Sequence, residues 1–373
     1  MNRKRKTRAV KQANRRQRKQ RRAFFSNNAF NEGFDTGYTR GYNAGRKAGN
    51  AHYHTIFEGT SIIIPTYNQK HLLAQCLQSI KQYTPEPHEI IVIDNGSTDG
   101  TADLLQNWSD PIRYKLFPQN LGFAGGVNQG LLMARGRTLL ILNNDTVVTH
   151  QWLSNLLKCL QHPGKPALVG PVTNYISGPQ QITVSYQNLP EMQEFAKNYN
   201  SSADGQSMPV ERLTGFCVLM DRDVFQRLGY LDEGFQIGNC EDDDFGLRAR
   251  LIGCELIIDM NTFIHHVGSQ SIGALSPQEF SRIYEGNLQY YSQKWGQVSE
   301  IRPELFTSGQ TLKTNDFYPD CIVACAGETM YWIEHGVRRP IAFSDHDETK
   351  RSQDTFKPVR LSRIDLKNWS PGE

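Results

Sequence analysis

Between Gly59 and about Pro303 the chain alternates short apolar runs with longer stretches whose apolar residues recur every three or four positions. The runs in "SIIIPTYNQ", "EIIVIDNGSTDGT", "IRYKLF" and "TLLILNND" predict four strands, the third the weakest. "HLLAQCLQSIKQY", "ADLLQNW" and "AGGVNQGLLMAR" lie between them and predict helices. Strands alternating with helices predict a layered α/β domain, a Rossmann-like sheet flanked by helices. The Pro- and Gln-rich connection over residues 178–210 shows neither period and predicts an irregular, mobile segment.

The flanks follow other patterns. Residues 1–25 are a basic, low-complexity arm with almost nothing to bury, so disorder is expected there. In 26–58, Gly33, Gly37, Gly41, Gly45 and Gly49 recur at every fourth position. On a helix they would form one smooth, slowly winding strip. Each glycine costs a helix about 1 kcal/mol relative to Ala, so such a helix needs a partner; a flexible spacer is the other reading. The domain proper is read as 59–302. A small module over 303–373 follows, in which "TMYWIEHGVRRPIAF" predicts a β-hairpin around "HG".

Charge sharpens this division. Residues 1–22 hold twelve Arg and Lys and no acid, so a chain of net charge +3 has a body near −9. Self-association or docking to an anionic surface through residues 1–50 fits this better than membrane insertion, which Asp35, Arg40, Arg46 and Lys47 oppose; nucleic acid is the less favoured partner. The seven cysteines are scattered without zinc-type spacing, and no apolar leader or membrane-length run is evident. The expectation is a reduced, cytoplasmic protein, peripheral to a membrane or part of a larger assembly.

Three strand ends share one chemistry: "PTYNQ" (65–69), "IDNGSTDGT" (93–101) and "LNNDT" (142–146) are rich in Asn, Asp, Ser and Thr. One such loop is an ordinary Asx turn. Three at the carboxyl ends of strands predict a polar ligand pocket. A nucleotide fits it, with Asp94 accepting from base or ribose and Thr66 and Tyr67 flanking the base. Pro65, Asn68, Asn95 and Asn144 belong to the same loops.

The segments "SIIIPTYNQ", "IIVIDNGSTDGT", "NLGFAGGVNQGL", "LLILNNDTVV", "LTGFCVLMDRDVFQRLGYLDEGF", "CEDDDFGLRARLIG" and "HHVGSQS", in this order, resemble the family 2 glycosyltransferases of GT-A fold, rhamnosyltransferase-like subgroup, over about residues 60–300. The resemblance implies a nucleotide-sugar donor (UDP- or dTDP-sugar), a divalent cation (Mn²⁺ or Mg²⁺) and transfer with inversion. The acceptor would be a glycan, a lipid-linked species or a protein, in cell-surface polysaccharide or glycoprotein biosynthesis.

By that resemblance Asp145 is a metal ligand and His266 a second one. Asn143 replaces a carboxylate and would make a ribose or water-mediated contact. Asp242 is the base that takes the acceptor proton, Glu241 stands next to it, and Asp244 and Arg248 orient the segment. Asp243 stands where the family usually has an apolar residue. Asn120, Gly122 and Asn128 would pack near the diphosphate, and Thr214 and Gly215 would line the donor sugar or acceptor. A helix N-terminus enriched in acids is the structural alternative for 241–244. Two other functions compete. A nucleotidyltransferase would carry an early glycine-rich basic loop, which "IPTYNQK" lacks. A non-catalytic nucleotide-sugar-binding or scaffold protein, assembled through its N-terminal extension, would not need Asp94, Asp145, Asp242 and His266 together.

Overall fold

The computed structural model describes residues 56–161, 164, 166–201, 206–268 and 276–295, together with strand backbone between 322 and 371. The basic arm and the glycine repeat, with the helix and docking role read into them, lie outside the described residues.

In chain order the elements are β1 (Phe57–Thr66), α1 (Lys70–Tyr83), β2 (His88–Asp94), α2 (Thr101–Gln106), β3 (Arg113–Leu116), α3 (Gly122–Met133), β4 (Gly136–Leu142), β5 (Thr146–Val147) and α4 (Trp152–Leu160). Then come β6 (Ala167–Val172), α5 (Leu189–Asn200), β7 (Ser207–Val210), β8 (Cys217–Asp221), α6 (Arg222–Leu228), α7 (Glu241–Leu251), β9 (Glu255–Phe263), β10 (His265–His266) and α8 (Pro277–Trp295). Further on, strands Thr329–Glu334 and Val337–Pro340 pair antiparallel within a separate five-stranded sheet.

Eight strands form the central sheet in the order β3-β2-β1-β4-β8-β6-β9-β7. The four strands β3, β2, β1 and β4 run parallel. Antiparallel β8 lies between β4 and β6, β9 runs parallel to β6, and β7 ends the sheet antiparallel to β9. The parallel strands read as continuous apolar runs because both sheet faces are covered. On β1, Ile62 and Ile64 join Leu73, Leu77 and Trp152 of α1 and α4. Ile63 points the other way, into Val127 and Leu131 of α3. All of these side chains are at most 2% exposed, and each contributes about 1.5–3 kcal/mol of burial.

Chain order reverses between β1 and β4, and a crevice opens beyond the carboxyl ends of parallel strands at such a point. The loops after β1, β2 and β4 all leave the sheet there. Helix α3 closes in on them because Gly126 has no side chain: a Cβ at that position would lie 2.7 Å from Asn95 Nδ2.

The stretch over 178–210 is more ordered than its composition predicts, since it contains α5 and β7. Asn188 Oδ1 accepts from the Glu191 N–H at 3.0 Å, and Glu191 carboxylate oxygens accept from Asn188 Nδ2 and the Gln187 N–H. This reciprocal cap is a helix-start signal that the surrounding Pro and Gln obscured. No helix among the described residues is long and apolar enough to cross a membrane.

Candidate active site

A cavity of about 1000 Å³ occupies the crevice. Its walls include Pro65, Thr66, Tyr67 and Asn68 after β1, Asn95 after β2, Asn120 and Gly122 at the start of α3, and Asn143, Asn144 and Asp145 after β4. Thr214 and Gly215 before β8, Glu241 and Asp242 of α7, and His266 of β10 also line it.

Short hydrogen bonds tie the loops together. Asn68 Oδ1 accepts from the Thr98 N–H at 2.7 Å, and the Asn68 N–H donates to Ser97 Oγ at 2.9 Å. Asn144 Nδ2 donates to Thr66 Oγ1 at 2.9 Å. Asn95 Nδ2 donates to the Gly122 carbonyl at 3.0 Å, and Asn120 Oδ1 accepts from the Gly122 N–H at 2.8 Å. These bonds join the loops after β1, β2 and β4 and the start of α3 into one rim.

Two expected residues do not line the cavity. Asp94 is 2% exposed and sits beneath it, where Oδ1 accepts from the Ser97 N–H at 2.9 Å and shapes the turn after β2. Asn128 is fully buried: its amide donates to the Leu231 carbonyl and to Glu233, and its oxygen accepts from the Leu231 N–H. Its i+6 offset from Gly122 on α3 turns it away from the crevice, and it ties α3 to residues 231–233.

Asp145 and His266 come together although 121 positions separate them. Strands β5 and β10 pair antiparallel with Thr146 opposite His266, and the Val267 N–H donates to the Asp145 carbonyl. His266 Nδ1 lies 2.7 Å from the Tyr175 carbonyl, which can only accept, so the ring's hydrogen sits on Nδ1. Nε2 then faces Asp145 Oδ1 at 3.2 Å, without the alignment of a hydrogen bond. Phe216 stacks on the imidazole at 5.3 Å and fixes its plane. Burial pushes the His266 pKa down, but Asp145 and the Tyr175 carbonyl outweigh it and raise it above the ordinary value.

Acids 241–244 occupy the first turn of α7 and face different ways. Asp244 is fully buried and bonded to Arg248, Lys294 and Trp295, while Arg248 also donates to the Leu228 and Tyr230 carbonyls. Burial alone would raise the Asp244 pKa, and these cations hold it below the usual carboxylate value. Asp243 pairs with Arg212. Asp242 is half-buried at the cavity wall, with Oδ2 accepting from the Gly215 N–H at 3.1 Å and Oδ1 from the Asp243 N–H at 2.9 Å. Behind it lies a void of about 20 Å³ lined by Phe123, Leu213, Val218, Leu231 and Phe245. Burial raises the Asp242 pKa and repulsion from Asp243 adds to that, against Arg212 and the two N–H donors. Glu241 is buried beside it, and burial plus the Asp242 charge push its pKa well up.

Tyr175, Ile176, Ser177, Gln181, Arg212, Ile237 and Asn239 line the cavity without having been singled out in the sequence. They carry no motif spacing, and chain topology alone delivers them.

Buried polar atoms are nearly always paired. Here five on one cavity's wall have no hydrogen-bond partner: Asn95 Oδ1, Asn143 Oδ1, Asp145 Oδ1, Glu241 Oε2 and His266 Nε2. With the His266 proton on Nδ1, all five can accept. The cavity is built for a ligand that brings donors or positive charge.

Residues 61–229 match the family described as glycosyl transferase family 2. The chain carries a glycosyl transferase family 2 domain. Its mixed sheet with flanking helices is the layered α/β arrangement that the alternating pattern of strands and helices predicts. The chain is 31% identical over 231 residues to the O-antigen biosynthesis protein RfbC of Myxococcus xanthus, covering 55% of this chain and 17% of that protein. It is 26% identical over 253 residues to validoxylamine A glucosyltransferase of Streptomyces hygroscopicus subsp. limoneus, covering 61% of this chain and 53% of the relative. This chain thus spans between about a sixth and half of the length of these relatives. Among solved structures it is similar to GalNAc-T7 with UDP, GalNAc and Mn²⁺, at 15% identity and TM-score 0.46, covering 67% of this chain and 54% of that one.

Proposed function

We propose that the cavity binds a nucleotide-diphosphate sugar and transfers the sugar to an acceptor hydroxyl with inversion, in the making of a surface polysaccharide or glycoprotein. The concentration of five unpartnered buried acceptors on the wall of a family 2 domain carries this reading. Nucleotide and sugar hydroxyls supply the missing donors, Asn95 and Asn143 meet the nucleoside end, and Tyr67 at the rim covers the base.

Asp145 and His266 fit a divalent cation, because two acceptor atoms confront each other at 3.2 Å in a buried place. Among the described residues no group of three His, Cys, Asp or Glu could hold a metal by itself, so diphosphate oxygens would complete the shell. When bound, Mn²⁺ or Mg²⁺ would neutralise charge on the departing diphosphate.

Asp242 acts as the base. Its two backbone N–H partners favour the carboxylate, and the more deeply buried Glu241 stands next to it. The acceptor oxygen attacks the anomeric carbon as the bond to the diphosphate breaks. Its proton passes to Asp242, and the nucleoside diphosphate leaves. Direct displacement with one base inverts the anomeric centre.

A screen of UDP-, GDP- and dTDP-sugars with Mn²⁺, dTDP-rhamnose included, tests the proposal by release of nucleoside diphosphate. Release from at least one donor supports it, and NMR of the product anomer checks inversion. Absence of turnover with every donor, and with Mg²⁺ as well, contradicts it.

A further inference from the structure

The acids of α7 enter the cavity from an unusual stretch of backbone. Ile237, Gly238, Asn239 and Cys240 have φ of 62°, 139°, 81° and 70°. Left-handed backbone is costly for residues with a Cβ, most of all for a β-branched one such as Ile237. A run of this kind persists only where its surroundings impose it.

One side chain does much of the imposing. Asn287 of α8 is 2% exposed. Its Oδ1 accepts from the Gln236 N–H at 2.9 Å, and its Nδ2 lies 3.0 Å from the carbonyls of Gln236, Gly238 and Asn239. Positions 287, 290 and 294 share a face of α8. Tyr290 donates to Asp232 at 3.0 Å, and its ring leaves no room for a Cβ on Gly234. Lys294 bridges Asp232 at 2.7 Å and Asp244 at 2.6 Å. Tyr290 and Lys294 thus pin the two ends of residues 232–244, and Asn287 holds the middle.

We propose that Asn287 is a positioning residue, whose carboxamide holds loop 236–240 in its left-handed run and so sets where Glu241 and Asp242 stand in the cavity. The catalytic half of this rests on the function proposed above. Only a carboxamide supplies both the acceptor for Gln236 and two N–H donors to divide among the three carbonyls. Asn287→Leu keeps the bulk and removes both, whereas Asn287→Asp keeps the acceptor and sets a charge against the carbonyls.

The test combines hydrogen exchange with steady-state kinetics on both variants, with Tm as a check of folding. Amides of 236–244 should exchange at least about tenfold faster, with those of 62–66 unchanged. Turnover should fall about 10- to 100-fold in kcat, with donor KM within about twofold, as expected for displaced reacting groups. Unchanged exchange in a folded variant overturns the clamp. Faster exchange with unchanged kcat, or a loss confined to KM, overturns the positioning role. If the wild-type chain turns over no nucleotide sugar, the functional proposal fails separately and the exchange result alone decides the clamp.

Discussion

His266 Nε2 and Asp145 Oδ1 face each other at 3.2 Å while Nδ1 of the same ring is committed to the Tyr175 carbonyl. Two acceptors this close and this buried repel unless something positive joins them. A divalent cation held together with a diphosphate would serve in the complex. Asp145→Ala should therefore lower Mn²⁺-stimulated turnover by about 100-fold or more, and chelation of the wild-type enzyme should give a comparable loss. Turnover measured with Mn²⁺ and with a chelator checks both.

The two acids beside each other should separate in kinetics. Asp242→Asn should lower kcat by about 10²- to 10⁴-fold, the usual worth of a general base, with donor KM changed little. A base works only when deprotonated. Because the Asp242 pKa is raised, by burial first and Asp243 next, the acid limb of kcat/KM should lie above the ordinary aspartate value. Arg212 lowers that pKa, so Arg212→Met should move the limb to higher pH. A limb that moves to lower pH, or does not move, removes Asp242 from this role.

Glu241 should cost stability. An acid whose folded pKa is raised binds more protons folded than unfolded between its two pKa values, so stability falls as pH rises through that window. Glu241→Gln should therefore raise Tm at neutral and alkaline pH, by an amount equivalent to about 1 kcal/mol, with the gain vanishing below the unfolded carboxylate pKa. Thermal melts of both proteins across pH give the answer; a gain that grows towards acid pH contradicts the assignment.

The ion cluster of Asp232, Asp244, Arg248 and Lys294 should be a point of fragility, since all four side chains are almost wholly buried. Lys294→Met leaves two buried carboxylates short of a partner, a loss of about 3–5 kcal/mol. Denaturant unfolding measures it, and a loss below about 1 kcal/mol would show that Arg248 on Asp244 and Tyr290 on Asp232 suffice.

The sheet was legible because β1, β2 and β4 are apolar on both faces, and their polar ends mark the crevice. The family motifs point to Asp145, Asp242 and His266, and the structure brings these three to one cavity. Asp94 and Asn128 lie deeper than their motifs suggest, because a motif records identity, not depth: one carboxylate shapes a turn and one amide ties α3 to residues 231–233. Asn287 gave no signal at all, since its partners are backbone atoms of residues 48 to 51 positions earlier. Such contacts leave no pattern in side-chain types. The helix at Leu189–Asn200 did leave one, the Asn188–Glu191 cap, beneath a composition that points to a loop.

Calorimetric titration of UDP and dTDP into the protein, with Mn²⁺ and with chelator, decides whether the crevice holds a nucleotide through Asp145. Saturable one-to-one binding of at least one nucleotide is expected, tightening with Mn²⁺ and losing that tightening in Asp145→Ala. Absence of binding by either nucleotide in the presence of Mn²⁺, or tightening that survives in Asp145→Ala, would contradict it.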